Sequence, residues 1–185
     1  MAPSEHASRG LDRDPTPVGD RVAAAFATVQ ADLLRYLRTI VGDDLAEDVA
    51  SQVWVEMVAG AAAFRGDQGA FRRWVFATAR RRALDEHRRW WRRSVTLHPP
   101  GDRELERPTT DAGGGADQDA AVARIAALPK PQAEIVLLRV LGGFSAEEVA
   151  ELTGRTPGAV RVVQHRALRR LAEELRRDPE WSSRL

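Results

Sequence analysis

The chain has 185 residues, 43% of them apolar and 30% charged, with no cysteine, four scattered histidines and a net charge of +1. This length allows one ordinary domain or two small ones. No uncharged apolar run reaches the roughly 18 residues of a membrane span, and the first residues lack the apolar segment of a secretory signal. Without thiolates or histidines at ligand spacing, we expect no metal site, no cofactor and a cytoplasmic location.

The small net charge hides a strong alternation along the chain. Residues 1–64 carry 5 basic and 10 acidic groups (net −5), and residues 65–93 carry 10 and 3 (net +7). Residues 94–119 then carry 2 and 6 (net −4), and residues 120–185 carry 11 and 8 (net +3). Two separate basic segments favour contact with a polyanion at two places and leave other surfaces for protein partners.

Two amphipathic helices are predicted near the N-terminus. Residues 1–20 are rich in Pro, Gly, Ser and Asp and are predicted to be a disordered tail. Apolar residues at spacings of three and four from Val22 to Ile40, Phe26 among them, indicate a helix that ends at Gly42. We expect Asp43 or Asp44 to cap the next helix, which should bury a stripe of Leu45, Val49, Val53 and Met57, with Trp54 alongside.

A loop over residues 61–69 precedes a third, long helix, whose apolar stripe is predicted to be Phe71, Trp74, Val75, Thr78 and Leu84. Its segment 72–93 holds nine arginines and three of the chain's five tryptophans. Trp90 and Trp91 are adjacent, so they point about 100° apart on a helix and cannot both be buried against one neighbour. Exposed aromatic rings among arginines are typical of surfaces that stack unpaired bases. A solvated surface helix is the alternative, and it explains Trp74 better than the tryptophan pair.

Residues 94–119, rich in Pro, Gly and acids, are predicted to be a flexible acidic linker. In the second unit, helices stop at Pro129 and at the glycine pair 142–143. Ser145 and Glu148 have the spacing of a capping box. A turn at Gly154 then leads to a helix capped by Thr156 with Pro157 at its first position, and this order is that of a helix-turn-helix.

The second helix of this pair carries the residues of a DNA-reading surface. Five basic side chains are expected on its outer face, and no acid occurs between residues 155 and 172. A chance pair of short helices around a glycine turn is the alternative interpretation. The five are Arg161, His165, Arg166, Arg169 and Arg170, and Arg155 lies at the entry of the helix.

Two sets of motifs together resemble a known family. AEDVASQVWVEMVAG and FRGDQGAFRRWVFATARRRALDEHRR resemble the second conserved domain of bacterial sigma factors of the sigma-70 family, and ALPKPQAEIVLLRVLGGFSAEEVAELTGRTPGAVRVVQHRALRRLAEEL resembles the fourth. The short chain is similar to the extracytoplasmic-function (ECF) group. The resemblance implies an all-α fold of two small helical domains. These are sigma domain 2 (21–93), a three-helix-type bundle, and sigma domain 4 (120–177), a helix-turn-helix, followed by a tail at 178–185.

The resemblance also implies roles for individual residues. The helix that grips the coiled coil of the largest polymerase subunit would use Asp44, Asp48, Gln52 and Trp54. Melted bases of the proximal promoter element would meet Phe64, Arg65, Asp67, Trp74, Arg80, Arg81, Arg88, Trp90 and Trp91. The distal element would be read by Arg155, Thr156, Arg161, Val162, His165, Arg166 and Arg169. Two positions depart from the family: Asn is common where this chain has Arg81, and Lys/Arg-Ser-Arg where it has residues 161–163.

The function implied is that of a sigma factor, not an enzyme. It would bind core RNA polymerase through the coiled coil and the flap, recognise the −35 and −10 elements and aid melting, and an anti-sigma partner is compatible with the linker. One alternative is a stand-alone dimeric helix-turn-helix regulator, which would bind duplex DNA tightly without polymerase. Another is a sigma-like protein that docks on polymerase but reads no promoter. A nucleic-acid enzyme is disfavoured because Asp85 and Glu86 diverge around their helix.

Overall fold

The structure, a computed structural model, describes residues 18–97 and 116–177, and within these ranges its secondary structure is helical, without strands. The first unit is a bundle in which each of three helices packs on the other two. They are α1 (Val18–Val41), α2 (Asp43–Gly60) and α3 (Gln68–Leu97). The all-α fold and the bundle expected for the first unit are confirmed.

Helix α1 follows the predicted periodicity with one exception. Leu33, Tyr36 and Leu37 are fully buried, and the Tyr36 ring meets Phe76 of α3 edge-on with centroids 5.5 Å apart. Phe26 was expected in the core, but its side chain is 46% exposed and leans on Trp54 of α2. The helix begins at Val18, inside the segment predicted as a disordered tail.

The start of α2 differs from the prediction. Its N-cap is Gly42, with φ 88° and no side-chain capping hydrogen bond, so neither Asp43 nor Asp44 caps the helix. A left-handed φ is readily available only to glycine, which explains why the chain can turn here within one residue. Asp43 instead lies 3.7 Å from the Arg38 guanidinium of the preceding helix.

Helix α3 is longer than predicted at both ends. It starts at Gln68, with the Asp67 carboxylate accepting a hydrogen bond from the Ala70 N–H at 2.7 Å, and runs to Leu97. Leu84 was predicted on the apolar stripe but is 36% exposed, since the buried face passes instead through Val75, Phe76, Ala79 and Ala83. The predicted linker 94–119 is correspondingly too long, because helix occupies both of its ends. Residues 98–115 lie outside the described ranges.

In the described residues the second unit contains four helices, three of which pack around the fourth, α5. The four are α4 (Ala116–Ala126), α5 (Lys130–Val140), α6 (Ala146–Thr153) and α7 (Pro157–Arg177). Ala133 and every residue from Ile135 to Leu138 are buried in α5, and these four consecutive positions cover about 300° of a helix circumference. Such a helix needs neighbours on nearly every side. It packs on the other three helices of the unit and on α1.

The two units are packed on each other, which the sequence did not predict. Helix α1 contacts both α4 and α5, and buried residues of both units form one continuous apolar cluster. Arg35 of α1 is only 4% exposed, and its Nε lies 2.7 Å from Oδ1 of Asp119 in α4. Asp119 therefore belongs to a folded contact and not to a linker.

Candidate nucleic-acid interface

The helix-turn-helix at residues 145–177 forms as predicted. The Ser145 hydroxyl accepts from the Glu148 N–H at 3.1 Å, and the Glu148 carboxylate accepts from the Ser145 N–H at 2.6 Å. Gly154 ends α6 with φ 66°, a left-handed conformation that turns the chain. The Thr156 hydroxyl accepts from the Ala159 N–H at 3.2 Å, which confirms the predicted cap of α7.

Helix α7 divides into a packed face and an outward face. Val160 and Ala167 are buried against the rest of the unit. Val162 is 49% exposed, on the side opposite to that core, where it shares the surface with the basic residues. Five of the seven residues predicted for the distal element lie on this outward face, and the other two are exposed in the turn just before the helix. The five are Arg161, Val162, His165, Arg166 and Arg169, and the two are Arg155 and Thr156.

An acid from α6 reaches this outward face, which the sequence analysis missed. The Glu147 carboxylate forms an ion pair with the Arg161 guanidinium, although both side chains are more than half exposed. The pKa of Glu147 is lowered, first by its own backbone N–H at the helix N-terminus and then by the charge of Arg161. The spacing of 14 residues across a turn gives no periodic signal, so only the folded geometry reveals the pair.

Around the loop between α2 and α3, three aromatic rings hold the chain in place. Phe64 stacks on Trp74 with centroids 5.1 Å apart and planes 3° from parallel, and both rings meet Phe71 edge-on. The Trp74 ring lies over Gly60, where an added Cβ would come within 2.6 Å of Cη2. Two of the residues predicted to contact melted bases, Phe64 and Trp74, thus also shape the loop.

The polar residues of this loop are engaged locally. The Arg65 guanidinium donates to the carbonyl oxygens of Ala62 and Phe64 at 2.8 and 2.9 Å. Asp67 caps α3 through its carboxylate, as described above. Both side chains remain at the exposed surface of the loop, so these contacts leave room for a ligand on their outer side.

Two arginines predicted for the proximal element are held by acids. Arg80 is 16% exposed, and its Nε lies 2.9 Å from Oε1 of Glu134 in the second unit. Arg81 is 58% exposed and pairs with Glu56 of α2, which also binds Arg82 at 2.9 Å. The pKa of Glu56 is lowered, chiefly by the hydrogen bond from Arg81. Arg81, where the family commonly has Asn, thus links α3 to α2 through an ion pair.

Farther along α3 the surface is more open. Arg88 is 71% exposed and forms a loose pair with Asp85 at 3.4 Å. The backbone of Trp90 and Trp91 belongs to α3. Their side chains lie outside the described residues, so their proposed stacking on bases stays a prediction.

The outer face of α2 brings together most of the residues predicted to bind polymerase. Asp44 and Asp48 are exposed and Gln52 is half-buried, at intervals of four residues along one stripe. Val55 continues that stripe and is 72% exposed. The sequence analysis missed this position, although the spacing of Val55 from Gln52 places it on the same stripe.

Trp54, the fourth residue predicted to bind polymerase, is buried instead. Its side chain is 8% exposed, and its indole N–H donates to the Gln30 side-chain oxygen at 2.5 Å. The edge of Trp54 lines an apolar groove with Phe26 and Val58.

Among the described residues, none of the helices is long and apolar enough to cross a membrane. The same part of the chain contains no group of three or more histidines and acids arranged to hold a metal ion.

Comparisons with known proteins match both units. Residues 25–93 match the family model "Sigma-70 region 2", and residues 118–171 match "Sigma-70, region 4". The chain is 37% identical over 150 residues to the ECF RNA polymerase sigma factor ShbA of Streptomyces griseus, covering 75% of this chain and 78% of the relative. It is 35% identical over 170 residues to the ECF RNA polymerase sigma factor SigD of Mycobacterium tuberculosis, covering 85% and 79%.

Solved structures show the same fold. The sigma factor RpoE, in complex with the anti-sigma factor NepR from Bartonella quintana, superposes with a TM-score of 0.62 at 21% identity and covers 84% of this chain and 97% of that one. CnrH in complex with the cytosolic domain of CnrY gives 0.52 at 20% identity, covering 87% and 96%. The chain belongs to the sigma-70 family of RNA polymerase sigma factors, in its ECF group. As a sigma factor it binds core RNA polymerase and promoter DNA.

Proposed function

We propose that the two units divide promoter recognition between them. Residues 21–93 bind polymerase and hold the melted −10 element, and residues 120–177 read the −35 element as duplex. The observation that carries this proposal is the separation of surfaces, with an acidic stripe on α2 and arginine-rich faces on α3 and α7. Synthesis is left to the polymerase, and the chain performs no catalysis of its own.

The proposal for α7 rests on the residues of its outward face. Arginine donates in a bidentate manner to guanine in the major groove, and apolar side chains contact the thymine methyl group. Arg161 and Val162 are adjacent on that face, so guanine and thymine are the bases we expect them to favour. The remaining arginines follow the phosphates and fix the orientation of the helix.

The proposal for α3 rests on its aromatic and basic residues. Stacking on an aromatic ring contributes about 1–3 kcal/mol per unpaired base. The loop at Phe64 and Arg65 and the end of α3 at Trp90 and Trp91 would supply such rings and guanidinium groups. The acidic stripe of Asp44 and Asp48 would dock on the coiled coil of the largest polymerase subunit, with Val55 adding an apolar contact, and the second unit would contact the flap.

Run-off transcription tests this division. Core polymerase is incubated with a genomic fragment library, with and without the protein, and start sites are mapped. We expect new, specific start sites that depend on the protein. A duplex-only gel shift without polymerase serves as the comparison, because tight specific binding there, with no added start sites, would identify a stand-alone regulator. Polymerase binding without start-site selectivity would identify a docking protein that reads no promoter.

A variant with Trp90→Ala and Trp91→Ala addresses the melting step. We expect open-complex formation, measured by permanganate reactivity of unpaired thymines, to fall about tenfold or more, while affinity for core polymerase stays unchanged. Equal losses in both measurements would contradict a stacking role. Leu84→Ala, which alters an exposed apolar residue of α3, is the matched control.

A partner that silences the protein is also part of the proposal. The RpoE structure described above contains an anti-sigma factor, and such a partner would bind this chain in the cytoplasm, where polymerase acts. Co-purification from cells that express a tagged chain, followed by a transcription assay with and without the captured protein, tests for it. Inhibition of run-off transcription is the expected result.

A further inference from the structure

Two opposite charges from different helices meet on the outward face of α7. Glu147 belongs to the first turn of α6, and Arg161 belongs to the second turn of α7. Glu147 Oε1 and Arg161 Nη2 form an ion pair, and the two side chains remain 56% and 60% exposed. The neighbouring acid Glu148 is engaged differently, because it completes the capping box of α6 and pairs with Arg73. Of these two acids, Glu147 is the one that reaches the surface proposed to read DNA.

A carboxylate at this position is unfavourable for DNA binding unless it meets a hydrogen-bond donor. Glutamate is ionised near neutral pH, so its side chain accepts hydrogen bonds and donates none. It repels phosphate oxygens and also the acceptor atoms that bases present in the major groove. As part of an exposed ion pair, Glu147 stabilises the fold only weakly. A donor group on the DNA is therefore what would make this carboxylate favourable in a complex.

A G·C pair presents a donor of this kind beside the acceptors that arginine binds. The amino groups of the major groove are N4 of cytosine and N6 of adenine. In a G·C pair the cytosine N4 lies next to guanine O6, because a Watson–Crick hydrogen bond joins the two atoms. The edge thus presents one donor followed by two acceptors, guanine O6 and N7. Glu147 and Arg161 present the complementary order, an acceptor joined to a group with several donors.

The other base pairs match this arrangement less well. A T·A pair, with thymine in the place of guanine, offers the adenine amino group to the carboxylate, but thymine has the single acceptor O4 where guanine has two. Arginine donates two parallel hydrogen bonds to guanine, and such bidentate contacts are the more specific ones. In a reversed C·G pair, the amino group faces the guanidinium and the acceptors face the carboxylate. Affinity should therefore fall in the order G·C, T·A, C·G.

We propose that Glu147 and Arg161 together read one G·C pair of the −35 element, with Arg161 donating to guanine and Glu147 accepting from the cytosine amino group. A guanidinium has five N–H donors, so the bond to Glu147 leaves others for guanine. Glu147 is then a specificity-determining residue that α6, and not α7, contributes. The inference rests on the proposed function, because it takes the outward face of α7 as the reader of duplex DNA.

Selection of binding sites from a random duplex library tests the assignment. Holoenzymes with the unchanged chain and with each variant are compared. We expect Arg161→Ala to lose its preference at one G·C pair by about fivefold or more. At that same pair, Glu147→Gln should prefer G·C over C·G about three- to tenfold less, because an amide can donate as well as accept. Glu151→Gln, which removes another exposed acid of α6, is the matched control and should select the unchanged sequence.

Modified bases at the pair that depends on Arg161 test the two contacts atom by atom. N4-methylcytosine replaces the amino hydrogen that faces the groove, and 7-deazaguanine removes the N7 acceptor. We expect each to weaken holoenzyme binding about three- to tenfold. The first penalty should disappear with Glu147→Ala and the second with Arg161→Ala, because groups in contact are not additive. 5-Methylcytosine adds a methyl group and keeps the amino hydrogen, so it controls for bulk.

Three results would overturn the inference: unchanged base preference with Glu147→Gln, tighter binding of this variant to every duplex alike, or an equal N4-methylcytosine penalty with and without Glu147. The second result would show that the carboxylate only repels phosphates. If the Glu147 variants are unfolded by circular dichroism, the unchanged chain decides, since equal penalties from N4-methylcytosine and 5-methylcytosine count against the contact. An unchanged holoenzyme that enriches no sequence would refute the proposed function itself, whereas an enriched sequence with any of the three results refutes this inference alone.

Discussion

The carboxylate of Glu147, on α6, contacts Arg161 on the outward face of α7. Under the proposed role of Arg161 in reading a base, this ion pair would hold the guanidinium toward the base edge, and the carboxylate would repel phosphates that bind without regard to sequence. We expect Glu147→Gln to lower the discrimination between the correct −35 hexamer and a substituted one by about three- to tenfold, since each well-placed base contact contributes about 1–3 kcal/mol. Competition binding of the holoenzyme to both duplexes measures this ratio.

Glu151→Gln is the control for Glu147→Gln, because it removes another exposed acid from the same helix. If the two variants discriminate between the duplexes equally well, the Glu147–Arg161 ion pair does not contribute to base recognition.

Glu56 joins α2 to α3 through Arg81 and Arg82, and its lowered pKa makes the contribution of these pairs depend on pH. A carboxylate whose pKa is lowered in the folded state stabilises the fold at pH values above its ordinary pKa of 4.5. This stabilisation is lost as the pH falls through the lowered pKa of the folded state. We expect Glu56→Gln to reduce the free energy of unfolding by about 0.5–1 kcal/mol near neutral pH, which is the size of effect that ion pairs at the protein surface have. The difference in free energy between this variant and the unchanged chain should shrink as the pH falls below the ordinary pKa of 4.5.

Denaturant titrations at several pH values measure this difference for Glu56. Glu173→Gln, which removes an exposed acid 4.0 Å from an arginine of its own helix, is the comparison. The prediction is wrong if the free energies of unfolding of Glu56→Gln and the unchanged chain differ by the same amount down to strongly acidic pH. Such a constant difference would show that the lost contact is not ionic.

At the scale of elements, the turn between α2 and α3 depends on the space above Gly60. Alanine in an open helical position usually adds about 0.5–1 kcal/mol of stability over glycine. At Gly60 the new Cβ would lie 2.6 and 2.8 Å from ring atoms of Trp74, whose ring is held by Phe64. We therefore expect Gly60→Ala to destabilise by about 1–3 kcal/mol, as overpacking does.

Thermal unfolding measures the effect at Gly60, and Gly158→Ala is the matched control because nothing lies within 4 Å of its added Cβ. Adding Trp74→Leu to Gly60→Ala should recover part of the loss by opening space. A stabilised Gly60→Ala variant would contradict the packing of the tryptophan over this glycine.

The helices with strong periodicity were predictable, and their ends were less so. Ser145 and Glu148 predicted the start of α6 because both capping bonds are local, and Thr156 did the same for α7. The start of α2 was missed because Gly42 provides it through backbone conformation, without any side-chain signal. The start of α4 was taken as linker because glycines precede it, although Asp117 and Asp119 have the charge that a helix N-terminus favours.

At the scale of the whole molecule, the packing of the two units was beyond the sequence analysis. Arg35 and Asp119 are separated by 84 residues, so no periodicity connects them. One signal was present: the run IVLL at 135–138 is apolar around most of the helix, and a helix of that kind is buried on most sides. Such a run in a small helix-turn-helix unit indicates an additional neighbour, which here is α1.

The surface proposed for polymerase and the contact between the two units lie on different sides of the first unit, and this separation is testable in one variant. Asp48 is exposed on α2, whereas the contact with the second unit uses α1 and Arg80 of α3. Because the chain has no cysteine, dyes attached at Ser51→Cys and Ala127→Cys, both exposed positions, report the packing of the two units through energy transfer. We expect Asp48→Arg to weaken binding to core polymerase about tenfold or more, as reversal of a docking charge does, and to leave this energy transfer unchanged. Glu151→Arg, an equal charge reversal on α6, should preserve polymerase binding far better. A change in energy transfer with Asp48→Arg would mean that polymerase docking and the packing of the two units share a surface.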